Sequence, residues 1–297
     1  MATAQLTPIG VGIHNVLIAT DFSCYSNQAL DIALKLAKEH RAEAYIVLVV
    51  PSDEFMLAGP EAYVAARDAA RRDLENLKVE LNNSGSYIEG SDYHLYLLEG
   101  DVATSILNFA QQKRIDLIVM GTHGRSGLGK ALMGSVAERV FRGSSIPVMT
   151  IGPHAKRPVQ GLAPKNILVA VDFTPASERA ARYAAGMASE YKSALTLLHV
   201  LNPKEMAHVP DQPRVVQEVE AKLATLLAGQ SVPFASRVET GRVVPTILQT
   251  AHEIDADLLV MGVRPSIPAL SRFMWPNAYE IVRESSCPVL TVRENPE

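Results

Sequence analysis

Residues 116–137, DLIVMGTHGRSGLGKALMGSVA, bring together the residue types from which an anion site can be built. Residues 116–120 are a short apolar run of the kind a buried parallel strand makes. Gly121, Gly124, Gly127 and Gly129 then open a loop that no regular element tolerates. At Gly134-Ser135 the pattern turns helical, and Ser135 stands at capping-box spacing from Glu138. Strand, glycine loop and helix N-terminus together aim backbone N–H groups and the positive helix end at one point, where phosphate oxygens can sit. Charge agrees with geometry, because residues 117–137 hold His123, Arg125 and Lys130 but no Asp or Glu. Each residue also has a structural reading. Ser135 can be an N-cap, although a cap can touch a phosphate too. His123 can be a solvated loop residue, and Arg125 and Lys130 can be loop charges that steer rather than bind. Gly124-x4-Gly129-Lys130 comes close to a P-loop, but Ala131 stands where a Ser or Thr hydroxyl should meet Mg²⁺. With the helix starting near Gly134 rather than at Lys130, a P-loop NTPase is disfavoured.

The elements that must position this stretch occur twice. VLIATDFSCYSNQALDIALKLAKEH at 16–40 returns as ILVAVDFTPASERAARYAAGMASEY at 167–191, so Asp21 maps to Asp172. IDLIVMG at 115–121 returns at 256–262, and SSIPVMTI at 144–151 returns at 285–292, so Gly121 maps to Gly262. A chain of 297 residues is long enough for two domains. The expected division is 1–152 and 166–297, joined by the Pro/Gly-containing linker 153–165. In the first copy, strands are expected at 15–20, 44–50, 93–98, 116–120 and 147–151. Ser23 can cap the first helix. Tyr63, Ala66, Ala70, Leu74, Leu77 and Leu81 recur at helical spacing in the second. Helices at 102–112 and 135–142 complete the unit. Strands separated by helices imply right-handed crossovers and a parallel α/β sheet with helices on both faces, Rossmann-like or flavodoxin-like. In such sheets a ligand sits beyond the carboxyl ends of the strands, which places strands one and four side by side at the site.

Composition narrows the function. A net charge of −4 gives no general reason to expect a nucleic-acid partner. Cys24 and Cys287 lie in different halves and form no metal or redox motif. No apolar stretch approaches the ~20 residues of a membrane helix, and the N-terminus has no signal-peptide pattern. A cytoplasmic protein without a membrane partner is expected.

The spacing Gly121-x2-Gly124-x9-Gly134-Ser135 resembles the ATP-binding signature of the universal stress proteins. The strand ending in Asp21-Phe22-Ser23, the IDLIVMGTHGRSG run and the IPVMTI terminus resemble that family as well. The likeness covers both halves and is that of a tandem universal stress protein with an ATP-binding first domain. It implies five parallel strands per half in the order 3-2-1-4-5, and dimers paired through the last strands. A tandem chain would supply an intramolecular pseudo-dimer. By position, Thr20 and Asp21 would meet the ribose or adenine, and the backbone of Val49 the adenine edge. Met120, Gly121, His123, Gly124 and Arg125 would line the phosphate and ribose side. Gly134, Ser135, Val136 and Ala137 would hold phosphates through N–H groups and the Ser hydroxyl. A carboxylate repels phosphates, so Asp21 suits ribose hydroxyls better; its plain reading is to organise the turn before the first helix. The implied ligand is ATP, with or without Mg²⁺, or AMP or ADP, and no metal ligands are assigned.

The second copy departs from this pattern. Pro265 replaces Gly124, and Trp275-Pro276 replace Gly134-Ser135. Proline has no N–H to offer and Trp275 fills space, so one nucleotide site per chain is expected, in the first domain. His199, in an apolar strand, reads as a structural histidine. The leading expectation is an ATP-binding regulatory protein of the stress response, acting with a regulatory protein partner. A slow ATPase or nucleotide-dependent enzyme, or a nucleotide-free scaffold, is the alternative. No catalytic residue is assigned, since His123 and Asp21 have no orienting partner in sequence.

Overall fold

The apolar runs become strands and the amphipathic stretches become the helices that separate them. The computed structural model describes residues 12–52, 59–87, 92–122, 133–155, 164–264 and 276–294. They divide into two compact units, one spanning Ile13–Pro153 and the other containing Ala163–Glu297. His123, Gly124, Arg125, Lys130, Pro265 and Trp275 lie outside the described residues.

The first unit runs β1 (Asn15–Ala19), α1 (Cys24–His40), β2 (Glu43–Val50), α2 (Pro60–Asn83), β3 (Tyr93–Glu99), α3 (Val102–Gln112), β4 (Leu117–Gly121), α4 (Ser135–Gly143) and β5 (Val148–Ile151). β1 is central, with Val16 opposite Ala44 of β2 on one side and Leu117 of β4 on the other. β3 lies beyond β2 and β5 beyond β4, giving the parallel order β3-β2-β1-β4-β5. Val16, Leu17, Ile18, Ile46, Ile118 and Val119 are fully buried, as strands covered by helices on both faces must be. One apolar layer joins Val47, Ile106, Phe109, Met120 and Val140, and another joins Leu48 and Val50 to Ala70 and Leu74 of α2.

The second unit repeats the plan: β6 (Asn166–Ala170), α5 (Pro175–Tyr191), β7 (Ala194–Leu201), α6 (Pro203–Met206), α7 (Gln212–Leu226), β8 (Phe234–Thr240), α8 (Val243–Glu253), β9 (Leu258–Val263), α9 (Pro276–Glu284) and β10 (Val289–Arg293). Its parallel order is β8-β7-β6-β9-β10.

Two local devices recur in both units. At the amino end of the strands, Asp116 Oδ2 accepts the N–H groups of His14 (2.8 Å) and Asn15 (2.9 Å). Asp257 Oδ2 does the same for Lys165 (2.8 Å) and Asn166 (3.0 Å). At the carboxyl end, β1 turns into α1 through Phe22 at φ 59°, and β6 into α5 through Phe173 at φ 58°. Phenylalanine gains nothing from the left-handed region, so the turn must be held by its neighbours. A buried serine does this: Ser26 Oγ donates to Ser23 O (3.1 Å) and accepts Asp21 N–H (3.4 Å), and Ser177 repeats both bonds.

Candidate functional site

The first unit holds a cavity of about 580 Å³ at the carboxyl ends of β1, β2 and β4. Thr20, Asp21, Val49, Met120, Gly121, Gly134, Ser135, Val136 and Ala137 all line it, so the described residues expected from the sequence are gathered at one place. His123, Gly124 and Arg125 lie outside the described residues.

One end of the cavity is the start of α4. Gly134 is its N-cap, at φ −59° and ψ 144°, and no side chain caps the helix. The expected capping box is therefore not formed. Ser135 is the first helical residue and exposed, and Glu138 pairs with Arg142 at 2.7 Å instead. Among the described residues, no hydroxyl or carboxylate caps the first N–H groups of α4. They and the positive helix end are thereby directed at the cavity. The dihedrals of Gly134 are open to any residue, so what glycine supplies there is room.

Thr122, fully buried, connects this helix to the sheet. Its N–H donates to Ile151 O at 3.0 Å, its Oγ1 donates to the same carbonyl at 3.3 Å, and its own carbonyl accepts Gly134 N–H at 2.8 Å. Gly121, one residue earlier, is glycine for a reason apart from any ligand. A Cβ there would lie 2.9 Å from the carbonyl carbon of Tyr25 and 3.0 Å from Ser26 N. Gly262 is tighter still, with a Cβ falling 2.3 Å from Ala176 C and Ser177 N. That packing explains why this glycine persists in the copy that lost the others.

Asp21 is half-buried, and its Oδ1 accepts Ser23 N–H at 3.0 Å. The turn-organising role is thus real, and Asp172 plays it too, accepting from Thr174 N–H (3.1 Å) and Oγ1 (2.5 Å). Burial pushes the Asp172 carboxyl up, but the Thr174 and Ser177 hydroxyls, the Thr174 N–H and Arg264 outweigh it, so its pKa is lowered.

The remaining walls are apolar or small. Ala66, Ala69 and Ala70 of α2 face the cavity on one side, and Val102 and Ile106 of α3 on the other. Sequence reasoning treated Ala66 and Ala70 as ordinary core positions; two alanines four apart in a stripe otherwise made of Tyr63 and leucines were the signal for room. Thr122, inside the quoted glycine stretch, was also missed. The wall is braced from outside: Asp101 caps α3 through Thr104 N–H (3.0 Å) and receives Arg139 of α4 in a two-pronged pair at 2.5 and 2.6 Å. The Arg139 guanidinium, followed by Thr104, holds the Asp101 carboxyl well below the usual carboxylate range. In the second unit α9 begins at Pro276, matching Ser135. Proline fits a first helical position, whose N–H has no intrahelical partner, but it removes a donor. His199 is structural: its Nδ1 donates to Val171 O at 2.8 Å and its ring lies 4.8 Å from that of Phe173.

A parallel α/β unit with a cavity at the carboxyl ends of its strands and a helix N-terminus beside it has the layout in which open α/β sheets hold small ligands. The chain belongs to the universal stress protein family, whose sequence model matches residues 12–152 and again 164–293. Universal stress protein MJ0531 of Methanocaldococcus jannaschii is 36% identical over 141 residues, 46% of this chain and 80% of that protein. A universal stress protein of Mycolicibacterium smegmatis is 24% identical across 94% of this chain and 97% of its own length. The crystal structure of a universal stress protein from Archaeoglobus fulgidus shares the fold at a TM-score of 0.72 and 22% identity, covering 95% of this chain and 98% of that one. Among the described residues, no helix is long and apolar enough to cross a membrane.

Proposed function

We propose that this universal stress protein is an adenine-nucleotide-binding regulatory protein with one ATP site per chain, in the first domain. The observation that carries the reading is the cavity itself. Its lining combines the start of α4, suited to phosphates, with the polar Thr20 and Asp21 after β1, suited to ribose, and the apolar Val49, Val102 and Ile106, suited to a base. In this reading the Asp21 carboxylate accepts from ribose hydroxyls rather than meeting phosphates, which it would repel. Asp21 is the one acidic side chain among the described lining residues, so the reading is of nucleotide held rather than rapidly hydrolysed. Ordinary enzymes turn over at about 10 s⁻¹, and a rate orders of magnitude lower is expected.

The second domain lacks the glycine cap and gains Pro276 at its helix start, which supports a supporting or partner-binding role there. An intramolecular pseudo-dimer and a regulatory protein partner belong to the same proposal and rest on the duplication. The test is mass spectrometry of small molecules released from the purified, denatured chain, followed by calorimetry with ATP. An adenine nucleotide at one equivalent supports the reading. A chain that releases none and binds none is a scaffold, and hydrolysis at ordinary enzyme rates, lost in Asp21→Ala, makes it an enzyme.

A further inference from the structure

The two units answer a question that neither answers alone. At the ends of its two central strands the first unit carries Thr20 and Thr122, both buried and both lining the cavity. The second unit carries Val171 and Val263 at the same positions, each 4% exposed. Valine has threonine's shape without its hydroxyl. The surrounding backbone is retained: the following turns have φ 59° and 58° at Phe22 and Phe173, and α4 and α9 start at matching residues. The fold therefore does not need these hydroxyls, and they occur in the unit whose helix start is equipped with Gly134 and Ser135.

Thr122 shows what its hydroxyl does. The strand ladder ends at Gly121, opposite Ile151, whereas in the second unit Val263 still belongs to β9 and is paired with Arg293. The Thr122 N–H makes the last rung of that ladder, to Ile151 O, and its Oγ1 adds a second bond to the same carbonyl. Its carbonyl then receives Gly134 N–H, the residue that opens α4. A single residue thus ties the end of β4, the end of β5 and the start of α4. We infer that Thr122 is the positioning residue of this site: its hydroxyl fixes the peptide from which Gly134 hangs, and so fixes where the first N–H groups of α4 point. Phosphate oxygens are sensitive to that direction, because charge-assisted N–H bonds weaken quickly off line. The apolar end of the cavity is not.

The inference concerning ligand rests on the nucleotide reading, so the test has one arm with ligand and one without. Thr122→Val, the substitution the second unit already carries, is compared with Thr122→Ser and the unaltered full-length chain. In the free protein, the Gly134 amide should exchange with solvent several times faster in Thr122→Val, return toward the original rate in Thr122→Ser, and leave the melting temperature nearly unchanged. With ATP as titrant, Thr122→Val should bind about five- to tenfold more weakly, the net worth of about one hydrogen bond. Adenosine, measured by competition, should lose less than twofold, and Thr122→Ser should recover most of the ATP affinity. Unchanged Gly134 exchange and unchanged ATP affinity in Thr122→Val overturn the inference. Equal losses for ATP and adenosine, with a lower melting temperature, also overturn it, because the residue is then merely structural. A chain that binds neither ligand overturns the nucleotide reading, while the exchange arm still decides whether Thr122 holds the helix start.

Discussion

Replacing Gly121 with alanine separates a glycine kept for a ligand from one kept for the fold. Its φ is not in the left-handed region, so space alone decides the cost. A methyl group would sit 2.9 Å from Tyr25 C, 3.0 Å from Ser26 N and 3.1 Å from Tyr25 Cβ. Two of these are backbone atoms at the start of α1, where Ser23 and Ser26 fix the turn, so no flexible side chain can swing away. Overpacking of this kind costs about 1–3 kcal/mol. Alanine's smaller unfolded-state entropy returns about 0.4–1 kcal/mol. The net for Gly121→Ala is about 1 kcal/mol. Gly262→Ala meets backbone at 2.3, 2.3 and 2.5 Å, beyond what a few tenths of an ångström can relieve, and should cost about 2 kcal/mol or more. At about 2–4 °C per kcal/mol for units of this size, Gly121→Ala should lower its melting transition by about 3 °C and Gly262→Ala by about 6 °C. Differential scanning calorimetry on the full chain, with the affected transition assigned from the two variants, reads both values. A Gly262→Ala variant less damaged than Gly121→Ala would refute the packing argument. So would a Gly121→Ala variant of unchanged stability that has lost ATP.

The other expectations follow from single features. Converting Gly134-Ser135 to Trp-Pro should leave a folded chain, since α9 starts on Pro276 at the matching place, and should abolish ATP binding in calorimetry. Removing two hydrogen bonds to phosphate, at ~1.5–3 kcal/mol each, weakens binding at least about a hundredfold. Asp101→Asn keeps a capping side chain but loses the charge opposite Arg139, and should cost about 1 kcal/mol at neutral pH, the small value set by the partial exposure of both groups. The folded Asp101 carboxyl titrates below its unfolded value. Its contribution is therefore fully present above about pH 4 and fades as pH falls further, and denaturant titrations should show wild type and Asp101→Asn converging in acid. Asp116→Ala removes the acceptor of two backbone N–H groups far from the cavity, and should lower stability while leaving the ATP dissociation constant within about twofold.

The alternation of elements was legible because apolar runs and three-four spacing depend on local chain geometry. The helix from Val102 to Gln112 and the Ser23 cap stand where the pattern placed them. The assembly of the described site residues was also legible, since strand ends that flank a switch point must converge. The capping box was not. Whether Ser135 caps the helix or begins it depends on one residue of phase, and the bond from Gly134 N–H to Thr122 O that accompanies the observed phase joins residues outside any local pattern. Gly121 was expected to line the phosphate and ribose side, and its contact with Tyr25 and Ser26 comes from an element about a hundred positions away in sequence. Thr122 escaped notice for the same reason, because its acceptor lies on another strand. The identity of the Asp101 partner, Arg139, likewise requires α3 and α4 to be packed before it can be seen.

Asp116 and Asp257 grip paired N–H groups at the amino end of their strands, with nearly the same distances in both copies. Strand register is thus anchored at the end remote from the cavity. A duplicated gene built on such a plan can experiment at one pole without risking the other. Loss of Gly134 and Ser135 equivalents in the second copy left the anchored pole unaltered, and the same arrangement should let the cavity pole be redesigned for new ligands by replacing loops alone. In engineering terms, the fold separates its foundation from its fittings along the length of a five-residue strand.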